Sequence, residues 1–324
     1  MDETTGKRGY GVLPLFHAFA LLCDLWRTIY LGTSFYVLGE MKYFFRELTV
    51  YEPDYMFLVP EIAESILKEL KRRSGACPDR KTEKLRDEVL GRNLSILISG
   101  GAALPPSLVE EFEKAGVMLL RGYGMTECSP VIAVLSHKEH VDNRTVGKPL
   151  DCNEVQIQDG EICVRGKNVM LGYYQDPEAT SEILREGWLH TGDMGYLSEE
   201  GYLYVTGRKK EMIVLKNGEN VSPAAPESLL REKDVVSDAL VYSYTDAQGE
   251  ELRAIFEVEN GMEEKVREIV DQYNREQPCC RKIRRYDCAD GVISKTATGK
   301  RNRRESLKRF LLQMIRKQIE DCIN

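Results

Sequence analysis

The chain has 324 residues, of which 42% are hydrophobic and 30% are charged, as in ordinary soluble globular proteins. Its formal net charge of −7 excludes a general attraction to nucleic acid or to anionic lipid. The nine cysteines are scattered, without a CxxC pair or a disulfide-like spacing, so we expect reduced thiols and a cytoplasmic protein.

The most apolar stretch, Gly9 to Cys23, is shorter than the roughly 20 residues that a membrane-spanning helix needs. The charged residues Asp24 and Arg27 follow it at once. No signal-peptide pattern precedes it. We therefore predict neither a transmembrane segment nor export.

Up to about residue 140, short apolar runs alternate with helical patterns, which is typical of a parallel sheet covered by helices. Glycines and prolines separate these runs and mark the loops. In chain order, we predict a strand at Tyr55–Val59, a helix at Glu61–Arg73, a strand at Leu94–Ile98, a helix ending at Ala115 and a strand at Val117–Leu120.

From about residue 141 the pattern changes to short strands between Gly and Asp turns, which predicts a small, mostly antiparallel unit. A βαβ-like pattern begins after Arg208. The predicted strands are Glu154–Gln158, Glu161–Arg165, Tyr202–Thr206, Met212–Leu215, Ala239–Tyr244 and Arg253–Val258, and the predicted helices lie near Pro223–Arg231, at Glu263–Glu276 and at Arg303–Ile319.

These changes of pattern predict three parts of the chain. Residues 1–140 form an α/β subdomain, residues 141–208 a β-rich subdomain, and residues 209–324 a small α+β C-terminal domain. The charged link GRKKE marks the last boundary.

Two strings carry chemically useful groups. RGYGMTECSP (Arg121–Pro130) offers two glycines, an aromatic ring, a hydroxyl and a carboxylate within six residues, although a strand-to-helix turn with a capping Thr would look the same. In HTGDMG, Asp193 stands beside a glycine, and its two oxygens can accept hydrogen bonds from neighbouring hydroxyls. The first string alone does not decide between a turn and a ligand site, and Asp193 is the stronger indication of a ligand site.

Together, RGYGMTECSP and the run GWLHTGDMGYLSEEGYLYVTGRKKE (Gly187–Glu211) resemble the adenylate-forming acid–CoA ligases. GEICVRGKNVMLGYYQDPEAT (Gly160–Thr180) also matches this family, and we assign it no catalytic residue. VLKNGENVSP and the stretch FYVLGEMKYFFREL, which follows LPLFHAF, resemble the bacterial long-chain fatty-acid–CoA ligases in particular. The resemblance implies part of the family's large N-terminal domain, followed by its mobile C-terminal domain.

The resemblance also implies roles for the residues of the first string. Tyr123 would stack on adenine, with Gly124 beside it, and Thr126 would bind phosphate. Glu127 would hold a magnesium ion, which suits a hard carboxylate ligand.

Further nucleotide contacts follow from the same resemblance. Gly101 and Ala102 lie in the loop SGGAAL, where the family places backbone against adenine and the acid. Asp193 and Arg208 would share the ribose hydroxyls. By itself, SGGAAL favours a simple glycine-rich turn over a ligand site. A turn-capping Asp193 is the alternative for the other motif, and the full run from Trp188 to Glu211 argues against it.

The remaining implied roles concern the acid, the thiol and the transition state. His17 in LPLFHAF would lie near the entrance of an acyl tunnel, although a lone His is more often a core or helix-cap residue. Lys210 would be the hinge of the C-terminal domain, and Gly218 would leave room for the pantetheine arm of coenzyme A. Lys300 in SKTATGKRNRR would be the catalytic lysine, with Ser294 in place of a frequent proline.

Two further departures from the family affect this assignment. Ala224, Ala225 and Pro226 replace two acidic residues and an apolar one. The Ser/Thr/Gly-rich phosphate loop ending in PKG, which the family carries upstream of LPLFHAF, has no counterpart in the sequence. We therefore expect that these residues alone are inactive as a ligase.

The resulting hypothesis is ATP-dependent ligation of a long-chain fatty acid to coenzyme A through an acyl-adenylate. ATP or AMP, a magnesium ion and coenzyme A are the implied ligands. The expected partners are small molecules rather than nucleic acid, and a homo-oligomer is compatible with the sequence. Alternatives are an enzyme that adenylates amino or aryl acids, for which only Asp24 would supply an ammonium ligand, and a non-catalytic nucleotide-binding fragment.

Overall fold

The structure, a computed structural model, describes residues 6–76, 82–136, 142, 144–215, 218–231, 233, 235–246, 249–258, 261–296 and 301–323. The chain folds into two compact units, Met1–Val205 and Thr206–Asn324. The division thus falls slightly before the predicted boundary at residue 208. The predicted subdivision at residue 140 stays a prediction.

A seven-stranded sheet forms the centre of the first unit, in the order β2-β1-β3-β4-β5-β6-β7. Its first five strands in this order are parallel, and β6 and β7 are antiparallel to their neighbours. The strands are β1 (Arg8–Gly11), β2 (Ser34–Val37), β3 (Tyr55–Leu58), β4 (Ile96–Ser99), β5 (Met118–Gly124), β6 (Val131–Val134) and β7 (Lys148–Pro149). The predicted parallel α/β architecture is confirmed.

Helices connect the parallel strands, as crossovers between them require. They are α1 (Ala18–Ala20), α2 (Arg27–Leu31), α3 (Phe44–Tyr51), α4 (Pro60–Ala76), α5 (Thr82–Leu90) and α6 (Pro106–Lys114), with a π-helical turn at Leu21–Trp26 between α1 and α2. Alternate residues of β3 belong to opposite faces of the sheet. Met56 and Leu58 join the main core, whereas Tyr55 and Phe57 pack in a smaller cluster with Cys23.

The second sheet of this unit has the order β10-β11-β9-β8, with β12 also paired to β11. Its strands are β8 (Asn153–Gln158), β9 (Glu161–Gly166), β10 (Leu184–Arg185), β11 (Trp188–Leu197) and β12 (Leu203–Arg208), and helix α7 spans Pro177–Ile183. Asp159 and Gly160 link β8 to β9 with φ of 49° and 78°. Such a left-handed pair joins antiparallel strands tightly.

The second unit contains a two-stranded and a three-stranded sheet. Its elements are β13 (Ile213–Val214), β14 (Asn220–Val221), α8 (Ala224–Arg231), β15 (Val236–Asp246), β16 (Gly249–Val258), α9 (Glu263–Glu276), β17 (Ile283–Cys288) and α10 (Arg303–Ile323). Strand β16 pairs antiparallel with β15 and parallel with β17. The βαβ unit is therefore β16-α9-β17, and its last strand was not predicted.

Elements with strong periodicity were predicted well, and α9 has the predicted bounds. The prediction for β5 was wrong at its end, because the strand continues through Arg121 to Gly124 and pairs with β6. The glycines of RGYG therefore lie in a strand and not in a loop. Cross-strand pairing, which no local pattern records, overrides the usual turn preference of glycine here.

Cysteine chemistry agrees with the prediction for the part of the chain that the structure describes. Seven cysteines there are free, and Cys23, Cys128 and Cys163 are buried. Burial raises the pKa of the Cys23 and Cys128 thiols to about 12. These thiols are therefore protonated and unreactive at neutral pH. No helix in the described ranges is both long and apolar enough to cross a bilayer.

Candidate functional site

The loops that carry the predicted site follow parallel neighbouring strands. LPLFHAF follows β1, SGGAAL begins at the last residue of β4, and MTE follows β5. Because β1, β3, β4 and β5 are parallel, their carboxyl ends share one edge of the sheet. A Cβ atom on Gly100 would lie 3.1 Å from Cζ of Phe19, so the first two loops are in contact.

Tyr123 and Asp193, which are 70 residues apart in the chain, are joined by a hydrogen bond. The Tyr123 hydroxyl donates to Oδ2 of Asp193 at 2.7 Å. Asp193 lies in β11 and is 5% exposed, and its backbone N–H donates to the Thr191 hydroxyl. The structure therefore brings together the residues that the sequence assigned to adenine and to ribose.

Thr126 and Glu127 lie in a short 3₁₀ turn, Thr126–Cys128, directly after β5. Thr126 is exposed and Glu127 is half-buried. The Tyr173 hydroxyl donates to Oε1 of Glu127 at 2.7 Å. Burial and this hydrogen bond raise the pKa of Tyr173 to about 12, so its hydroxyl remains a donor at neutral pH.

The Glu127 environment fits a magnesium ion that is mainly held by a substrate. Magnesium usually keeps several waters and binds through one or two carboxylates plus phosphate oxygens. Glu127 supplies one carboxylate, which Tyr173 orients through a single oxygen. Over the described ranges, no group of three or more His, Cys, Asp and Glu side chains is arranged to hold a metal ion by itself.

Arg121 connects β5 to the SGGAAL loop, a role that the sequence analysis did not assign. Its guanidinium donates to the Leu104 carbonyl at 2.7 Å. Arg121 is buried, and this burial lowers its pKa to about 10, against an opposing effect of Asp142. Gly101 and Ala102 thus lie in a loop whose far end is attached to the central sheet.

Gly124 is required by packing. A Cβ atom at this position would lie 1.9 Å from the Pro130 carbonyl oxygen, because β5 and β6 approach closely there. The close approach brings the turn with Thr126 and Glu127 back against the sheet. Gly124 therefore shapes the site through its missing side chain.

His17 and Asp24 lie on the segment between β1 and β2. His17 is half-buried at the N-cap of α1, and its side chain makes no capping hydrogen bond. Asp24 is fully buried in the π-helical turn, and neither of its oxygens has a hydrogen-bond partner among the described residues. Burial raises its pKa to about 8, although Arg27 opposes the shift.

Three of the predicted residues that the structure describes belong to the second unit. Arg208 is half-buried and precedes the 3₁₀ turn Lys209–Glu211, which contains the exposed Lys210. Gly218 lies in the turn between β13 and β14 with φ of +78°, and its N–H donates to the Leu215 carbonyl. The turn itself needs this left-handed residue, which adds a structural reason for glycine there.

Lys300 lies outside the described residues. On either side of it in the chain, Lys295 and Arg301 both form ion pairs with Asp238, each at 2.7 Å. Asp238 is 1% exposed. One buried carboxylate of β15 therefore anchors both flanks of the predicted lysine segment.

Three residues that support the site through other groups were not predicted from the sequence. Arg121 attaches a loop, Tyr173 orients Glu127, and Glu161 accepts a hydrogen bond from the Gly192 backbone next to Asp193. Arg121 lies in RGYGMTECSP and Tyr173 in GEICVRGKNVMLGYYQDPEAT. A charged or phenolic residue next to a buried strand could therefore have indicated a supporting role. Their partners, however, follow from tertiary contacts alone.

Comparison with known proteins identifies the family. The family model described as AMP-binding enzyme matches residues 2–174. A long-chain-fatty-acid–CoA ligase of Mycobacterium tuberculosis is 40% identical over 173 residues, which cover 53% of this chain and 29% of that protein. A 2-succinylbenzoate–CoA ligase of Bacillus cereus is 34% identical over 234 residues, or 69% of this chain and 48% of that protein. The chain thus spans less than half the length of these curated relatives.

Solved structures agree with this result. The o-succinylbenzoate coenzyme A synthetase of Bacillus subtilis in complex with AMP has a TM-score of 0.77 at 26% identity, covering 93% of this chain and 60% of that one. The anthranilate CoA ligase AuaEII has a TM-score of 0.79 at 22% identity, covering 94% and 59%, which shows the shared fold. By its matched residues and its fold, the chain belongs to the family of AMP-binding enzymes.

Proposed function

We propose that the chain carries the adenylate-binding part and the C-terminal part of an ATP-dependent acid–CoA ligase. The observation that carries this proposal is the 2.7 Å hydrogen bond from Tyr123 to Asp193. It joins an aromatic face to a nearly buried carboxylate, and these are the two groups that an adenosine needs for stacking and for binding of its ribose hydroxyls.

Each residue has a defined task in the proposed reaction. Asp193, together with Arg208, binds the ribose, and Thr126 donates to phosphate. Glu127 holds the magnesium ion, which neutralises phosphate charge when bound. Lys300 stabilises the negative charge that develops at the α-phosphate as the carboxylate attacks and pyrophosphate leaves.

The second half-reaction uses the second unit. The thiol of coenzyme A attacks the acyl carbonyl and displaces AMP. We assign the hinge to Lys210 and the thiol channel to the Gly218 turn, which is exposed. Conformational steps of this kind often limit the rate of such enzymes.

For the acid, we propose a long-chain fatty acid. The 40% identity to a long-chain-fatty-acid–CoA ligase supports it, as do Phe19 and His17 on the segment next to SGGAAL. An aryl acid is the second candidate, because the 2-succinylbenzoate ligase matches a longer stretch of the chain. We disfavour an amino acid: Asp24 does turn inward, but with a pKa of about 8 it is mostly uncharged at neutral pH.

We further propose that these 324 residues by themselves do not complete adenylation, and that the parent ligase acts in the cytoplasm. The sequence contains no Ser/Thr/Gly-rich loop ending in PKG, and such a loop would direct backbone N–H groups at the β- and γ-phosphates. Pyrophosphate release from ATP and a fatty acid should be near background for the purified chain. A complete long-chain ligase assayed in parallel is the control, and turnover at a comparable rate would contradict the proposal.

AMP binding tests the nucleotide assignment directly. Asp193→Ala should weaken AMP binding by roughly 10- to 100-fold, because it removes charge-assisted hydrogen bonds to ribose worth about 1.5–3 kcal/mol. Isothermal titration of AMP into the chain and into the variant measures the change.

Asp151→Ala is the matched control, since Asp151 is exposed in the same unit. It should bind AMP as the unchanged chain does. Circular dichroism verifies that both variants are folded. Equal affinity of the Asp193→Ala variant and the parent would refute the ribose assignment.

A further inference from the structure

Asp193 lies in an irregular part of β11. His190 pairs with Cys163 of β9, but the next regular pair is Met194 with Glu161. Three residues of β11, namely Thr191, Gly192 and Asp193, therefore face the single residue Ile162 of β9. Such bulges re-aim side chains and occur next to active sites. The direction of the Asp193 carboxylate thus depends on the shape of this bulge.

The Glu161 carboxylate holds the bulge from the neighbouring strand. Its Oε1 accepts a hydrogen bond from the Gly192 N–H at 2.9 Å. Gly192 has φ of +70°, a conformation that other residues rarely adopt. The Glu161 side chain therefore replaces a strand carbonyl as the acceptor for the Gly192 N–H, which has no regular partner in the bulge.

The Thr191 hydroxyl and the Asp193 N–H of the bulge are also paired. The Thr191 hydroxyl donates to the Ile162 carbonyl at 2.8 Å and accepts from the Asp193 N–H at 3.1 Å. The second oxygen of Glu161 lies 3.5 Å from Nδ1 of His190. Glu161 is only 7% exposed. The buried carboxylate thus contacts two residues of β11 that precede Asp193, namely His190 and Gly192.

We propose that Glu161 is a positioning residue for nucleotide binding. It touches no ligand itself but acts through Gly192, keeping the Asp193 carboxylate aimed at the ribose, while the Tyr123 hydroxyl donates to Oδ2 of that carboxylate. This inference rests on the proposed ribose role of Asp193. A residue that only stabilised the fold would affect every nucleotide ligand equally, whereas a positioning residue affects the ligands that Asp193 contacts.

Two probes separate these possibilities, AMP and 2′,3′-dideoxy-AMP, which lacks both ribose hydroxyls. Glu161→Ala should weaken AMP binding about tenfold, as expected for losing one charge-assisted hydrogen bond. Its affinity for dideoxy-AMP should change less than about twofold. Glu161→Gln keeps an acceptor oxygen for Gly192, so it should lose only about two- to threefold for AMP and nothing for dideoxy-AMP.

The matched control is Glu154→Ala on β8 of the same sheet, where Glu154 is exposed and paired with Arg165. This variant should bind both probes as the parent does. In an Asp193→Ala background, Glu161→Ala should cause less than about twofold further loss for AMP, because the two residues act on one contact. Titration calorimetry on the folded chains gives all of these affinities.

The outcomes are distinguishable. If Asp193→Ala leaves AMP binding unchanged, the ribose assignment fails and this inference fails with it. If Asp193→Ala weakens AMP binding but the Glu161 variants do not, the positioning role alone is wrong. Equal losses for AMP and dideoxy-AMP, or a full tenfold loss that persists in the Asp193→Ala background, also overturn it. If Glu161→Ala does not fold, Glu161→Gln decides the question by its difference between the two probes.

Discussion

Replacing Asp24 by Asn should make the first unit more stable than the parent at alkaline pH, and this advantage should shrink as the pH falls. Asp24 is fully buried, and neither of its oxygens has a hydrogen-bond partner among the described residues. Burial raises its pKa to about 8, with Arg27 opposing the shift. In the unfolded chain, an Asp ionises near pH 3.9.

The sign follows from this difference in pKa. Below about pH 4 the Asp24 carboxyl is protonated in both the folded and the unfolded state, so its raised pKa does not lower the free energy of unfolding. As the pH rises toward 8, the unfolded state loses its proton while the folded state keeps it, so the parent loses stability. The unfolding free energy of the parent then falls by up to about 1.4 kcal/mol per pH unit. The Asn variant lacks this loss because its side chain does not ionise.

Between pH 5 and pH 8, the difference in unfolding free energy between the Asp24→Asn variant and the parent should therefore grow by about 3–4 kcal/mol. Both tryptophans, Trp26 and Trp188, lie in the first unit, so fluorescence during guanidinium unfolding reports on it. The exposed Asp151→Asn should track the parent at both pH values. Parallel pH dependence of the Asp24→Asn variant and the parent would show that Asp24 is ionised in the folded state.

Replacing Asp238 by Asn should strongly destabilise the second unit. Oδ1 of Asp238 accepts from Nε of Arg301 at 2.7 Å and from the Ala239 N–H, and Oδ2 pairs with Lys295. Burial acts to raise the pKa of Asp238, but the charges of Arg301 and Lys295 outweigh it and hold the pKa below its usual value. The ion pairs therefore favour the folded state.

The substitution removes the carboxylate that pairs with Lys295 and one of two buried carboxylates near Arg301, which also lies 3.8 Å from Glu227. We therefore expect a loss of about 3 kcal/mol near neutral pH. In the parent, this stabilisation should be fully present at a pH above the pKa that Asp238 has in the unfolded chain. It should be lost as the pH falls through the lower pKa that Asp238 has in the folded chain. Amide hydrogen exchange of β15 and β16 measures this unit separately from the first.

Glu251→Gln is the matched control on the neighbouring strand β16, where Glu251 pairs with Arg253 at 2.8 Å and is partly exposed. A pair of this kind contributes at most about 1 kcal/mol. Equal exchange protection in the Asp238→Asn and Glu251→Gln variants would contradict the importance of the buried ion pairs.

Several features of the chain follow from local sequence. Helix α9 has its predicted bounds, because its apolar residues recur on one face with polar residues between them. Strands β8 and β9 were predicted within one residue at each end, because a Gly turn separates two short runs. These patterns depend only on residues that are close in the chain, so the sequence predicts the elements correctly.

Other features were missed because their cause is not local. Strand β17 reads as a polar segment, yet it completes the parallel pair with β16. Asp24 looks like the charged end of an apolar run, but the segment between β1 and β2 buries it completely. In both cases packing against distant residues decides the outcome, against local propensity.

The sequence by itself determined the family, the kinds of element along most of the chain, and the residue types of the candidate site, because motif residues stand at short, fixed spacings. Only the tertiary structure decided that Tyr123 reaches Asp193 and that Glu161 supports it through a bulge of β11. Strand order and register set such contacts, and a shift of one residue in pairing would turn Asp193 to the other face of its sheet. That information lies in the cooperative packing of whole strands, which no short stretch of sequence contains.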